Sequence, residues 1–454
     1  MPIDKKQKEY NNMTLFIRRV RVSSRSLSVF CFVLFFTLQS WSLIKPVEKY
    51  RLDNGLRVIL HKDQKLPLYS LNLWYDVGSS DEDPNRTGLA HFFEHLMFKG
   101  TTNFGDGYFD TFIEDNGGSN NAFTTRDVTA YHEDMPAKTL QTILKLEADR
   151  MSNLGVSLKN VKQEREVVKE ERRLRVDNSP MGLAYEALFE KSFSPNTPYQ
   201  WSVIGSMKHL ERSSIDDFKK FYKKHYAPNN AVLVVSGKFK TGQVKKWIQE
   251  YFGPLKASKL TKKKFTSKYQ RGQYKKINKP MNSKVLMYGF PGTSLGASDE
   301  LILDLISTIL SNGEGSYLYQ ELVEKDKSFL SVGVSSYALS NGGIHMLSAS
   351  LKPGQSASKG NKTIKKVITS KLKRGFTQSE LKRGVKLSKI SHYNQFKTLS
   401  SKGYHLAMAE IFHGDYSYHF KDIKKLEAVT LGQINEIFKK YYKVNEFNFI
   451  EVGR

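Results

Sequence analysis

Between Glu48 and Lys62 apolar and polar residues form two strand-like stretches separated by the turn triplet Asp53-Asn54-Gly55, and a third such stretch occupies residues 70–77. From about residue 137 to 175 the apolar positions recur at helical spacing instead. A shorter helix is predicted over Thr87–Gly100, where Leu89, Ala90, Phe92, Phe93, Leu96 and Met97 make the segment apolar, Thr87 is a start signal and Gly100 a stop. Strands and helices are therefore interspersed along the chain.

The pattern also repeats. Phe221-Tyr222-Lys223-Lys224-His225-Tyr226, followed by the apolar run Ala231–Gly237, resembles Phe438-Lys439-Lys440-Tyr441-Tyr442 followed by Phe447–Gly453, at a constant offset of 216 residues. Earlier in the units Tyr75 matches Tyr288 and Gly100 matches Gly313, both at an offset of 213. On that register His91, Glu94 and His95 fall on Asp304, Ser307 and Thr308, so only the first copy keeps the chemistry described below. Residues 256–280 between the copies hold ten Lys and Arg, among them Lys256, Lys262, Lys263, Lys264 and Lys276, with few apolar residues, and are expected to be an exposed linker.

Charge and the N-terminus narrow the setting. The 454 residues carry 71 Lys and Arg against 45 Asp and Glu, a net +26, which favours anionic partners. No recognisable nucleic-acid module accompanies that charge, which sets nucleic-acid binding aside. Arg18, Arg19, Arg21 and Arg25 precede an apolar run from Leu27 to Leu38, then Ser40-Trp41-Ser42, so residues 1–42 are expected to be a signal peptide that directs the chain to a bacterial periplasm. The alternative is an uncleaved membrane anchor over Leu27–Ile44, 18 residues long. Cleavage would remove Cys31, the only cysteine, and leave a net charge of +21, because the leader holds seven Lys and Arg and two acids.

His91 and His95 lie four residues apart on the predicted helix, so their imidazoles share one face and can take one metal ion. Glu94 can reach a water on that metal without being a ligand, and the order H-x-x-E-H is the inverzincin one. Two histidines and a glutamate in an apolar helix would be costly without such a role. A catalytic zinc takes a third protein ligand, for which the acidic helix around Glu164–Glu171 is the candidate: its two end glutamates are seven apart on one face, so one could bind metal while the other supports it.

These residues resemble the pitrilysin family, which includes insulysin and the catalytic beta subunit of the mitochondrial processing peptidase, and most of all its short bacterial members with two homologous domains. The resemblance runs from about residue 47 to the C-terminus and is carried by His91–His95, Gly117-Gly118-Ser119-Asn120-Asn121-Ala122-Phe123-Thr124 and the Glu164–Glu171 helix. It implies an α+β fold of two homologous domains, each a mostly antiparallel sheet backed by helices, enclosing a chamber. The expected domains are 43–255 with the zinc site and 281–454 without one. The family's third ligand follows the second histidine by some 76 residues, which picks Glu171 over Glu170 and leaves Glu164 as its support. Asn121, Ala122 and Phe123 match the family's edge strand, on which substrate backbone pairs. His132, where many relatives have tyrosine, is expected to be a strand-surface residue.

The implied activity is that of a zinc metalloendopeptidase with one zinc per chain, in which Glu94 acts as general base on water during hydrolysis of peptides or unfolded polypeptides. Its rival is a non-catalytic assembly or binding subunit of the same fold, against which the intact His91, Glu94, His95 and Glu171 set argues. The second half departs from single-chain relatives: Tyr317 and Leu330 stand where an arginine and a tyrosine hold the substrate carbonyl, with Tyr319 or Tyr337 as substitutes after a small alignment shift. The resemblance therefore implies a hetero-oligomer in which a second pitrilysin-like subunit supplies the arginine and tyrosine.

Overall fold

The apolar runs and helical periods resolve into two successions of the same elements. The structure is a computed structural model that describes residues 47–260 and 265–454; the expected leader at 1–42, with Cys31, and Lys262, Lys263 and Lys264 lie outside them. The first half runs β1 (Val47–Arg51), β2 (Arg57–Lys62), β3 (Leu68–Tyr75), α1 (Leu89–Leu96), α2 (Tyr108–Asp115), β4 (Ser119–Thr124), β5 (Thr129–Pro136), α3 (Leu140–Ser152), α4 (Leu158–Arg172), α5 (Pro180–Ser192), α6 (Met207–Arg212), α7 (Ile215–His225), β6 (Ala231–Gly237) and α8 (Thr241–Phe252). The second runs β7 (Tyr274–Ile277), β8 (Val285–Pro291), α9 (Glu300–Ser311), β9 (Phe329–Leu339), β10 (Gly342–Leu351), α10 (Ala357–Arg374), α11 (Gln378–Asn394), α12 (Leu399–His413), α13 (Asp422–Glu427), α14 (Leu431–Tyr441) and β11 (Asn448–Val452). Without β1, α2 and α8 the two orders coincide.

Sheet topology repeats with the elements. The first sheet is ordered β1-β2-β6-β3-β5-β4 and the second β7-β11-β8-β10-β9, so the second reproduces the first without β1. Each contains one parallel pair, β2 with β6 and β7 with β11, and is otherwise antiparallel. The pairing corrects one detail of the repeat. Tyr75 lies opposite Ala231, whereas Tyr288 lies opposite Phe449. At the offset of 216 that aligns β6 with β11, Ala231 corresponds to Phe447, so the strand-level counterpart of Tyr75 is Phe290, two residues past Tyr288.

Every residue of β6 is buried because both faces of the first sheet are covered. Ala231, Leu233 and Val235 face the helices of their own half, with Phe92, Phe93 and Phe218 in the same cluster. The other face is closed by α12 of the second half, which packs on β3 and β6. Gly403 makes that approach possible, since a Cβ there would come within 2.5 Å of the Asn72 amide. The exchange is reciprocal: α5 of the first half packs on β8 and β11, placing Ala184, Leu188 and Phe189 against Met287, Ile344 and Ile450. A cavity of about 640 Å³ opens between the halves, lined by Leu66, Leu68 and Ser119 on one side and Lys397, Thr398 and Leu399 on the other.

Residues 256–280 are more than an exposed linker. Phe265 and Tyr269 pack on the α5 cluster, and β7 pairs with β11. Lysines of this stretch find acids: Lys275 Nζ lies 2.7 Å from Glu190 and Lys276 Nζ 3.3 Å from Glu451. Among the described residues no helix is long and apolar enough to cross a membrane.

Candidate metal centre

Helix α1 starts one residue later than the Thr87 signal suggests. Gly88 occupies the cap position at φ 93°, a left-handed conformation that suits glycine. The capping group comes from outside the helix: the buried Glu82 carboxylate accepts from the N–H of Gly88 at 2.9 Å and of Ala90 at 2.8 Å, while Thr87 Oγ1 bonds His209 Nδ1 at 2.8 Å. Phe92, Phe93 and Leu96 anchor the inner face, and His91, Glu94 and His95 project on the opposite face towards α4 and β4.

On α4, capped by Ser157, Glu164 and Glu171 both reach this face. Glu171 Oε2 lies 3.5 Å from His91 Nε2 and 3.2 Å from His95 Nε2. Glu164 Oε2 lies 3.4 Å from the other ring nitrogen of His95, and its Oε1 lies 2.9 Å from Lys99 Nζ. Glu171 Oε1 is held by Arg175 at 2.9 Å, just where α4 widens into a π-helical turn over Arg173–Asp177. Glu170, by contrast, is exposed and pairs with Arg173.

His91, His95 and Glu171 each offer an atom such that all three lie within 4.8 Å of one another, the one such set among the described residues. Glu171 Oε2 is buried without a well-directed hydrogen bond, as is His91 Nδ1. Two imidazoles and a carboxylate converging on one point, with no proton donor dedicated to it, fit a zinc ion. The two glutamates put negative charge on this face. Burial opposes charge on His95, yet Glu164 and Glu171 outweigh it and raise that imidazole to about 9; burial and the neighbouring His95 push His91 down to about 4. Burial raises the Glu94 carboxyl, partly offset by Thr124 Oγ1, which donates to Glu94 Oε2 at 2.5 Å.

The remaining expected residues fall into two groups. Asn121, Ala122 and Phe123 lie on β4, which ends its sheet and pairs only with β5, so its outer edge is free to take another strand. The Phe123 ring packs on Trp74 and on Tyr404 of α12. His132 is a half-buried β5 residue opposite Asn72 and Asn121. In the second half Tyr317 donates to the Val367 carbonyl at 3.2 Å beneath the Arg374 guanidinium, and Leu330 is exposed on β9. Tyr337 packs on Phe189 and Tyr185.

Sequence reasoning missed Glu82, Lys99, Arg175 and the bond from Thr124. Thr124 was within reach, since it ends the β4 run; Glu82 sits in a loop with no local signal. If His91, His95 and Glu171 hold zinc, the contact of Glu164 with His95 predicts that Glu164→Gln weakens zinc binding about 10- to 100-fold, as read by competition with a chelator of known affinity.

Comparison with known proteins follows the same division. The insulinase (peptidase family M16) profile matches residues 57–200, and the peptidase M16 inactive domain profile matches 213–387. The chain is 29% identical to the zinc protease PqqE of Helicobacter pylori, over 89% of this chain and 93% of that protein. It is 31% identical to the rat mitochondrial cytochrome b-c1 complex subunit 1 over 45% of this chain and 42% of that protein. The crystal structure of a protease from Helicobacter pylori superposes with a TM-score of 0.85 at 26% identity, covering 90% of this chain and all of that one.

Proposed function

We propose, from the premise that the chain belongs to peptidase family M16 in both of its halves, that it is a zinc-dependent endopeptidase whose reacting centre is His91, His95, Glu171 and Glu94. The observation that carries this reading is the convergence of three ligand atoms beside a glutamate that is not one of them. Held by His91, His95 and Glu171, a zinc ion would supply Lewis acidity that polarises the scissile carbonyl and lowers the pKa of water. Glu94, half-buried with its carboxyl raised, takes the proton from that water and passes it to the leaving nitrogen. Glu164 and Lys99 fix the orientation of His95. Asn121, Ala122 and Phe123 offer main-chain groups along the β4 edge to an extended substrate, which reads backbone more than side chains and favours unfolded peptides.

Residues 43–255 form the catalytic half in this reading and 281–454 its metal-free counterpart. Cleavage of residues 1–42 would release the chain into a bacterial periplasm, and retention would anchor it to the membrane. The test of the reading is metal dependence: a chelator abolishes peptide cleavage and zinc restores it, whereas cleavage that survives complete removal of metal would refute it.

A second subunit completes the site. Tyr317 is committed to α10 and Leu330 carries no donor, so the second half offers no arginine and tyrosine at these positions for the carbonyl oxygen. Loss of one such donor costs about 100- to 1,000-fold in rate. The isolated chain is therefore expected to bind zinc and cleave slowly. Mixing it with an M16 protein that lacks H-x-x-E-H but carries the two donors should raise turnover by a comparable factor. Equal turnover alone and in the mixture would move the role to Tyr319 or Tyr337, tested by their phenylalanine variants. The reading of the chain as a non-catalytic subunit draws on the same missing donors and on the likeness to a respiratory-complex subunit.

A further inference from the structure

The repeat gives the metal centre a counterpart: α9 stands where α1 does, α11 where α4 does and β9 where β4 does. In the second half these elements also pack on one another. They line a cavity of about 560 Å³, the size of a ligand site. Its chemistry differs from that of the surface around it. In a chain of net charge +26 this cavity has no lysine or arginine in its lining, and instead presents Glu300, Asp304 and Asp422 together with histidines.

Glu300 and Asp304 are one turn apart on α9, and neither is paired with a cation within 4.0 Å among the described residues. Burial first, then the neighbouring Glu300, pushes the Asp304 carboxyl up to about 7. Asp422 is partly compensated, accepting from Lys425 Nζ at 3.0 Å and holding His419 Nδ1 at 2.8 Å. That contact leaves His419 Nε2 buried without a partner. His392 on α11 is 6% exposed and lines the cavity, and its Nε2 also lacks a partner. Carboxylates and two unpartnered histidine nitrogens thus face a space large enough for a side chain.

Tyr404 connects this cavity to the β4 edge. It lines the cavity, and its ring lies 5.8 Å from Phe123 and 4.9 Å from Trp74. A peptide paired along β4 would pass beside it within two or three residues of Glu94, which Thr124 touches. We propose that the cavity is a subsite for a basic side chain, the guanidinium of arginine or the ammonium of lysine, on a peptide lying along β4. The carboxylates supply the counter-charge, the free histidine nitrogens accept N–H bonds, and Tyr404 and Tyr337 flank the aliphatic stem. This rests on the peptidase reading for the peptide's position, though not for the cavity's charge.

The test uses the full zinc-loaded chain carrying Glu94→Gln and two fluorescent peptides that differ only in arginine against citrulline, its uncharged analogue of equal length. Anisotropy is expected to show the arginine peptide bound about tenfold more tightly or better, as one charge-assisted hydrogen bond predicts. The ratio of the two Kd values should fall towards one in Asp304→Asn and, independently, in Glu300→Gln. Equal Kd values in the parent chain, or a ratio that neither substitution changes, would overturn the subsite. A second equivalent of zinc that displaces the arginine peptide and is lost in Asp304→Asn would overturn it in favour of a metal site. Turnover plays no part in the readout, so arginine preference here, with no peptide hydrolysis by the zinc-loaded parent chain carrying Glu94, would refute the peptidase reading and support the subsite.

Discussion

Glu94→Gln is expected to keep its zinc and to hydrolyse peptides about 100- to 10,000-fold more slowly, the range general-base catalysis spans. The amide has the shape of the carboxylate and can still receive the hydrogen bond from Thr124 Oγ1, so α1 and its packing are undisturbed. What it loses is the ability to accept a proton. Metal binding should survive because Glu94 is not among the three groups whose atoms converge. The pairing of outcomes matters: a slow variant that has also lost zinc would make Glu94 a ligand, and one that cleaves at the parent rate would leave the base elsewhere. Both follow from measuring kcat/KM and zinc content on the same preparation.

Much of this arrangement could be read locally. The β6 strand announced itself as an apolar run, α1 as an apolar helix bearing two histidines, and the repeat as matched motifs at offsets of 216 and 213. Such features depend on residues close in sequence. Features that depend on distant partners were not legible. The amphipathic pattern of α5 is the same whichever sheet it covers, so its crossing to the second sheet, and that of α12 to the first, cannot be read from periodicity. The cap of α1 is a carboxylate from a preceding loop, where local sequence pointed to Thr87. Similar aromatic residues two positions apart, Tyr288 and Phe290, concealed the strand register that backbone pairing defines. Lysine density masked Phe265, Tyr269 and β7 in what read as a linker, because its few apolar side chains, which pack on the α5 cluster, are scattered among the lysines.

The assignment of the third ligand separates neighbours on one helix. Glu171 faces both imidazoles from a partly buried position, whereas the Glu170 side chain is 58% exposed and bonded to Arg173. Replacing a zinc-binding carboxylate with a neutral amide removes both charge and a strong donor, and should weaken binding more than the 10- to 100-fold typical of a supporting residue. An exposed member of a charged helix contributes about 1 kcal/mol or less through its ion pair, so its loss leaves the metal site intact. The most direct measurement is zinc stoichiometry after dialysis against a weak chelator, on the parent chain, Glu170→Gln and Glu171→Gln. One zinc per chain in the first two and essentially none in the third is the expected result; retention of zinc by Glu171→Gln, with or without loss in Glu170→Gln, would contradict a centre built from His91, His95 and Glu171.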